Sequence, residues 1–309
     1  MPPHSRAWLQ IHFCVVLWSF TAILGKVISL PAYAIVWWRM LLVVIAMLVI
    51  ARFWRGVSAL SPRLIAIYAA IGVVVALHWL TFYGSIKLAN ASVAATCMAL
   101  TPVFIAFVEP FVTQRKFDVR EVALGLAVLP GVMLVVGGTP SGMRVGIAVG
   151  AVSAFLVAIF SSLNKRFIEH GDALSVTGIE MAAGALLLSV AALIVPGIDS
   201  PFAIPSTQDA WLLVALALGC TLLPFTLSLV ALRHLSAFTT AIAVNMEPVY
   251  SIVLAVLLLG EQRELEPSFY AGVAVILLVV FGHPWLQLRS TTLTDGVAAA
   301  GQPGRDAQD

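Results

Sequence analysis

The sequence predicts an all-α integral membrane protein whose ten transmembrane helices form two inverted repeats of five. Three observations lead to this fold class: an apolar composition, a division into ten apolar segments, and an internal repeat. Hydrophobic residues make up 61% of the 309-residue chain and charged residues only 10%, and the mean hydropathy is +1.03. Because charged residues make up about 25% of a soluble globular protein, this composition excludes a soluble fold.

Ten segments each contain roughly the 20 apolar residues that a helix needs to cross the hydrocarbon core of a membrane. In chain order, the predicted spans 1 to 10 are residues 8–28, 33–51, 64–86, 90–113, 119–137, 144–166, 174–195, 210–232, 235–259 and 267–288. The connections between them are too short for a soluble domain. We expect a first repeat over residues 1–138, a second over residues 139–288, and a disordered cytoplasmic tail over residues 289–309.

The distribution of Lys and Arg predicts the orientation of the chain, because cytoplasmic loops are enriched in these residues. With the N-terminus inside, twelve of the 17 fall on the cytoplasmic side and four (Lys26, Lys87, Arg144 and Arg263) fall outside, while Arg39 lies within the membrane. We therefore expect both termini to be cytoplasmic, in the inner membrane of a bacterial-type cell. The net charge of +2 reflects this asymmetry between loops and gives no support to nucleic-acid binding.

The internal repeat emerges when Pro102 is placed on Pro248, which sets an offset of 248 − 102 = 146 residues and places Lys87 on Arg233. Since each repeat has an odd number of spans, the second must enter the membrane upside down. Inverted repeats are an architecture of transporters that bind substrate near the membrane midplane. If the two repeats exchange shapes, an inward-open cavity becomes an outward-open one. The alternative explanation of the repeat is ancestry alone.

The pair Glu247-Pro248 lies in the middle of span 9. A carboxylate there costs roughly 2.5 to 3.5 kcal/mol and is tolerated mainly beside a cavity or a partner. Pro248 frees the backbone carbonyl of Val244, and Pro102 in span 4 frees that of Met98, so we predict a hinge in each helix. The alternative is that proline is simply common in membrane helices.

Asn245 and Glu247 are about 200° apart around an ideal helix, so only one of them can face a cavity. Glu247 shares its face with Thr240 and Val244. It is interpreted either as a structural residue, bonded to backbone groups or to a cation, or as the contact for a substrate ammonium group or a coupled proton. The equivalent position of the first repeat holds Thr101, so the carboxylate is present on one side only.

Span 3 carries an aromatic cluster, formed by His78, Trp79, Phe82 and Tyr83. Aromatic faces bind apolar side chains and ammonium groups, and Tyr and Trp also offer a polar atom. We therefore predict that the cluster lines the substrate cavity. The alternative for His78 is a hydrogen-bonded packing residue.

Arg39 of span 2 and Glu180 of span 7 match at a second offset, 180 − 39 = 141. Inverted symmetry would place them on opposite sides of the membrane, so no direct ion pair is expected. Arg39 is interpreted either as snorkelling to the interface or contacting backbone, or as a gating contact for a substrate carboxylate. Glu109 and Lys26 lie near the ends of their spans and are interpreted as interfacial.

These residues together resemble the EamA-type branch of the drug/metabolite transporter superfamily, over residues 8–288. The likeness rests on Trp18, Lys26, Arg39, Glu247-Pro248-Val249 and Leu259-Gly260-Glu261. The aromatic span 3 is most similar to that of the YddG-like bacterial amino-acid exporters. The resemblance implies a cavity lined chiefly by helices 1, 3, 4, 6, 8 and 9. One departure is Arg115, which occupies the position in the first repeat that matches Glu261.

We accordingly predict a secondary transporter that exports aromatic, neutral or related amino acids. No phosphate-binding loop is present, so a substrate gradient or a coupled ion must drive it. We expect the substrate to contact Trp18, Met98, Thr101 and Asn245 in addition to the aromatic cluster, with Glu247 and Arg39 in coupling or gating and Pro102 and Pro248 as hinges.

Several alternatives remain open at this stage. One is a carrier of another metabolite or drug, and less favoured ones are a lipid-modifying membrane enzyme and a channel. We expect no catalytic residues, no cofactor and no metal, because the sequence has no paired Cys or Cys/His spacing. The expected partners are a small-molecule substrate and membrane lipids, and the oligomeric state is left open, with a monomer as one possibility.

Overall fold

The computed structural model describes residues 3–195, 202, 204–244 and 246–279, and every regular element within these ranges is helical. Fourteen α-helices are numbered here in chain order. They are α1 (Pro3–Val27), α2 (Ala32–Leu48), α3 (Ala51–Ser58), α4 (Pro62–Leu88), α5 (Ala91–Met98), α6 (Thr101–Thr113), α7 (Val119–Gly137), α8 (Arg144–Phe167), α9 (Ala173–Ile194), α10 (Thr207–Val214), α11 (Leu223–Leu232), α12 (Ala237–Val244), α13 (Met246–Leu254) and α14 (Pro267–Val279). The predicted tail over residues 289–309 and the end of span 10 lie outside the described residues.

Six helical segments of the described chain are long and apolar enough to cross a membrane, and a seventh is added if α2 and α3 form one bent span. Three shorter apolar helices lie within the predicted spans 5, 9 and 10. Every predicted span thus coincides with a helical segment, and the chain is a multi-pass helical membrane protein. That all ten cross the membrane remains a prediction.

The helix of span 2 ends slightly before residue 51, its predicted boundary. α2 ends at Leu48, and α3 follows after a bend of 90° in a region that was predicted as a loop. α3 is amphipathic and buries Phe53, which packs so closely on Gly178 of α9 that a Cβ there would lie 2.3 Å from the Phe53 ring. Arg52 of α3 also pairs with Asp172 at 2.7 Å. Contacts with the start of α9 therefore hold α3 across the end of the bundle.

Span 4 is interrupted where its proline predicts. α5 ends at Met98, and a turn at Ala99 and Leu100 separates it from α6, in which Pro102 is the second residue. Two segments of π-helix, Ala215–Leu222 and Ala255–Leu259, were not predicted. Single-turn π-helical segments often occur at functional sites.

Close helix contacts in the bundle depend on small residues. On α8, Gly150 faces Cys97, whose sulfur would lie 2.7 Å from an added Cβ. Gly72 of α4 packs on the backbone of α9, and Gly131 of α7 lies against Gly272 of α14. These approaches bring backbones together in the way expected for membrane helices, whose association depends on packing between small residues.

Equivalent residues of the two repeats lie at opposite ends of the bundle. Lys87 Nζ donates to the carbonyl of Ile28 at 2.7 Å, one residue beyond α1. Arg233 Nη2 donates to a backbone carbonyl beyond α8 at 2.5 Å, and Leu235 nearby packs with Ala7 close to the start of α1. We call the end of the bundle at which α1 begins the N-terminal end, and the other one the far end.

Candidate functional site

A cavity of about 130 Å³ lies between the two repeats. On the scale by which one water needs about 10 to 15 Å³, this is room for roughly ten waters, or for a small metabolite. Its walls come from α1, α2, α4, α5, α6, α8, α11, α12 and α13. The lining residues are Trp18, Thr21, Arg39, His78, Trp79, Phe82, Met98, Thr101, Ile105, Val157, Phe160, Ser161, Asn164, Phe225, Ser228, Leu229, Leu232, Ala237, Thr240, Val244 and Glu247. Apolar and aromatic side chains predominate, with one guanidinium group and one carboxylate.

Arg39 is the cation of the cavity, and its side chain is 1% exposed. Nε donates to the hydroxyl of Thr221, Nη1 to the hydroxyl of Tyr83 at 2.9 Å, and Nη2 to the carbonyl of Cys220 at 3.3 Å. The guanidinium carbon lies 3.7 Å from the centroid of the Trp79 ring, in a cation–π contact. These bonds use three of the five N–H donors of the guanidinium group, and the other two have no acceptor among the described residues.

The π-helical segment before α11 supplies two of the acceptors for Arg39. Pro224 has no N–H to donate to the carbonyl four residues earlier, which belongs to Cys220 and accepts from Arg39 instead. The neighbouring hydroxyl of Thr221 donates to Leu216, five residues back, at 2.7 Å and accepts from Nε of Arg39. Local sequence thus builds a polar patch into an apolar helix.

Glu247 is the carboxylate of the cavity. It lines the cavity with Thr240 and Val244, the residues predicted to share its helix face. No hydrogen bond from a described residue reaches its carboxylate, and no nitrogen of Arg39 lies within 4.0 Å of it in the described part of the chain. Both side chains nevertheless line the same cavity. Asn245, the rival candidate, lies outside the described residues.

Aromatic rings form the remaining wall. Trp79 of the first repeat and Phe225 of the second, which match at the 146-residue offset, meet edge to face with centroids 6.2 Å apart. Phe160 contacts both Phe225, at 6.3 Å, and His78, at 5.4 Å. His78 both lines the cavity and bonds to α8, because its Nδ1 lies 2.8 Å from the hydroxyl of Ser153. His78 is therefore both a hydrogen-bonded packing residue and a part of the cavity wall.

The structure brings most of the predicted site residues to the cavity. Those that line it are Trp18, Arg39, His78, Trp79, Phe82, Met98, Thr101 and Glu247. Tyr83 is fully buried behind Arg39 and acts on the cavity through it. Pro102 and Pro248 are buried in their helices and do not line the cavity. Their role as hinges remains a prediction.

For Arg39, the structure favours the backbone contact over snorkelling, because Nη2 donates to the carbonyl of Cys220. Arg39 does not snorkel, because its guanidinium group is buried among side chains of the helices that face α2. Glu109 lies near the end of α6, where it is 2% exposed and pairs with Arg115 at 3.4 Å, and its interfacial position remains a prediction.

The far end of the bundle is closed by hydrogen bonds between the repeats. The carboxylate of Glu261 accepts from the backbone N–H of Ala91 at 3.0 Å, and from the N–H and hydroxyl of Ser92 at 2.8 and 2.7 Å. Asp209 accepts from the N–H and hydroxyl of Ser29 at 3.0 and 2.6 Å. The cavity instead extends toward the N-terminal end, where Leu232 lines it.

Sequence reasoning missed several lining residues, including Phe160, Asn164 and Ser228, and missed the Arg39 acceptors on the π-helical segment. Pro224 was a usable signal, because it frees a carbonyl in the same way as Pro102 and Pro248. Within the described residues, no group of three or more His, Cys, Asp or Glu side chains could hold a metal ion. The arrangement suits noncovalent binding of a small molecule that carries charge of both signs.

Comparisons with known proteins give a family and a fold. The model of the EamA-like transporter family matches the chain twice, over residues 6–137 and 144–283, which gives it a two-repeat architecture. No curated protein sequence matches the chain. One similar solved structure, described only as the crystal structure of a protein, is 20% identical, with a TM-score of 0.64 over 90% of this chain and 95% of the other. At that identity the likeness shows the fold alone.

Proposed function

Because the chain belongs to the EamA-like transporter family, we propose that it is a secondary transporter that exports amino acids and related small metabolites by alternating access. Family membership supports a small-molecule transporter in a membrane. The chemistry of the cavity supports the amino-acid substrate, and the hydrogen bonds that close only the far end of the bundle support the mechanism. In the proposed orientation both termini are cytoplasmic, in a bacterial inner membrane.

The observation that carries the substrate proposal is the pair of opposite charges in one aromatic cavity. Two N–H donors of Arg39 have no acceptor among the residues that the structure describes and can bind a carboxylate. Glu247 has no donor among the described residues and can accept from an ammonium group. An α-amino acid carries both groups on one carbon, so it can contact both residues at once, and its side chain then lies against Trp79, Phe160 and Phe225.

Alternating access is supported by the asymmetry between the two ends of the bundle. At the far end, Glu261 and Asp209 join the repeats through charge-assisted hydrogen bonds. The cavity reaches toward the N-terminal end, past Asn164 and Leu232. With a cytoplasmic N-terminus, this is the inward-facing state that loads a substrate for export. Repeats that match in sequence and lie inverted supply the second, outward-facing state by exchanging shapes.

Counterflow in liposomes tests the proposal. Purified full-length protein is reconstituted, loaded with an unlabelled amino acid and presented with the labelled one. The panel should contain aromatic and neutral amino acids, each with its decarboxylated amine and its deaminated acid. We expect saturable exchange that prefers the zwitterion to both analogues. Nonsaturating flux would indicate a channel, chemical conversion of the substrate would indicate an enzyme, and a preference for unrelated metabolites would indicate a carrier of another class.

A further inference from the structure

A second polar site lies behind the cavity, at Glu180 of α9. The side chain is fully buried, and neither carboxylate oxygen has a hydrogen-bond partner within the described residues. The side chain beside it is Asn164 of α8, 1% exposed, whose Oδ1 also lacks a partner there. A buried carboxylate whose oxygens lack a well-formed hydrogen bond is costly, and the amide oxygen of Asn164 is a second buried acceptor without a partner among the described residues. A single proton on Glu180 satisfies both when the amide of Asn164 turns its oxygen toward the acid, because the acid O–H then donates to Oδ1.

The charged and titratable side chains on the helices around Glu180 are bonded to other groups. Arg39 of α2 is bonded to Thr221 and Tyr83. From α4, the hydroxyl of Tyr68 lies nearby but donates to the carbonyl of Phe167 at 2.8 Å.

The cations at the N-terminal end of the bundle are also engaged. Arg233, after α11, donates to backbone carbonyls, and Lys165 of α8 does the same at 2.6 Å. On α3, Arg52 pairs with Asp172, and Arg55 is exposed. No Lys, Arg or His nitrogen of the described chain lies within 4.0 Å of Glu180.

The backbone of α9 at Glu180 packs tightly against α4. Gly72 of α4 packs so closely that an added Cβ would lie 2.2 Å from the Glu180 carbonyl oxygen. Asn164, in contrast, lines the substrate cavity. It is therefore the group through which the carboxyl group of Glu180 can act on the cavity.

We propose that Glu180 is a proton-binding site that couples transport to a proton gradient, and that Asn164 relays its state to the cavity. This proposal rests on the proposed transport function. An asparagine amide has an acceptor oxygen and a donor nitrogen. When Glu180 holds the proton, Oδ1 of Asn164 accepts from it and the NH2 group faces the cavity. When Glu180 is ionised, the NH2 group turns to the carboxylate and the oxygen faces the cavity.

Each transport cycle then moves one proton without covalent or redox change. Glu180 takes the proton from water on one side of the membrane. It releases the proton to water on the other side after the open end of the bundle has closed and the closed end has opened. The polarity that Asn164 presents to the substrate changes with each protonation step. Binding of substrate and binding of proton are therefore linked through one amide.

Infrared spectroscopy of the purified protein at neutral pH tests the protonated state without any need for transport. We expect the C=O band of a buried carboxylic acid in the wild type, its loss in E180Q, and its retention in E109Q, which alters another buried carboxyl group. Asn164→Leu removes the acceptor and should shift the band. Absence of the band in the wild type, or its persistence in E180Q, would overturn the proposal.

Reconstituted protein under an imposed pH difference tests the coupling. With one proton per substrate, each pH unit should support about tenfold accumulation of substrate. E180Q should lose this accumulation while counterflow, which moves no net proton, persists; E109Q should accumulate like the wild type. The proposal would be contradicted if E180Q still accumulates substrate, or if accumulation is lost in E247Q and not in E180Q. A requirement for a sodium gradient in place of the pH difference would also contradict it. If no substrate shows counterflow, the transport function has failed, and the infrared result still decides the state of Glu180.

Discussion

Replacing Glu261 by glutamine should release the far end of the bundle. Its carboxylate, 1% exposed, accepts three hydrogen bonds from the first turn of α5, two of them from the backbone of Ala91 and Ser92. Because Glu261 belongs to the second repeat and α5 to the first, these bonds hold the two repeats together at the far end. They also place a negative charge at a helix N-terminus, where it is favourable.

The size of the effect follows from the geometry of the carboxylate. A glutamine keeps one acceptor oxygen, and its NH2 group faces an N–H donor of α5, so at least one hydrogen bond is lost. The remaining hydrogen bonds are made to a neutral acceptor instead of a charged one. Hydrogen bonds to charged groups contribute about 1.5 to 3 kcal/mol each, and neutral ones about 0.5 to 1.5. We expect a loss of roughly 2 to 4 kcal/mol, which shifts the equilibrium between closed and open far ends by about 30- to 700-fold.

Labelling of a cysteine at Thr21, in the wall of the cavity, measures this shift. In sealed vesicles, an impermeant maleimide applied at the far end should label T21C slowly in the wild-type background and much faster with E261Q. The three native cysteines are buried, and E261Q without T21C measures their background. E266Q is the matched control, because Glu266 is exposed in the same segment. Equal labelling with and without E261Q would refute the reasoning.

Three further substitutions test the contacts around the site. Gly72→Ala should lower the unfolding temperature in detergent, because the added Cβ would lie 2.2 Å from a backbone atom of α9. Such overpacking costs about 1 to 3 kcal/mol. Gly142→Ala is the control and should leave the unfolding temperature unchanged, because no atom lies within 4 Å of its added Cβ. Pro224→Ala restores an N–H to the carbonyl that accepts from Arg39, and should weaken substrate binding about fivefold in counterflow titrations. Trp79→Ala removes the ring that stacks on Arg39. It should weaken substrate binding about 30-fold, while membrane insertion stays intact.

Periodicity along single helices predicted much of the cavity wall. His78, Trp79 and Phe82 were expected on it as an aromatic cluster, and Glu247 was one of two candidates on its helix, because a buried carboxylate needs a cavity or a partner. The helix face shared by Glu247 and Thr240 was also predicted correctly. These inferences needed only the geometry of one helix and the cost of burying charge.

Contacts between distant segments could not be predicted in the same way. The burial of Arg39 depends on Thr221 and Cys220, about 180 residues later in the chain, and on a π-helical segment that single-helix periodicity does not detect. Tyr83 was expected at the cavity surface, but Arg39 lies between it and the cavity. Likewise, nothing in the local sequence around residues 51–58 indicates that α3 finds its partner on α9.

The most direct test of the central claim is the affinity of purified wild-type protein and R39Q for an amino acid and for its decarboxylated amine. If the carboxylate is held by Arg39, the wild type should prefer the amino acid, and R39Q should reduce the ratio of the two affinities by roughly 10- to 150-fold, the equivalent of one charge-assisted contact. R52Q, which alters an exposed arginine at the bundle end, should leave the ratio unchanged. An R39Q variant that binds both ligands with the wild-type ratio would contradict the account.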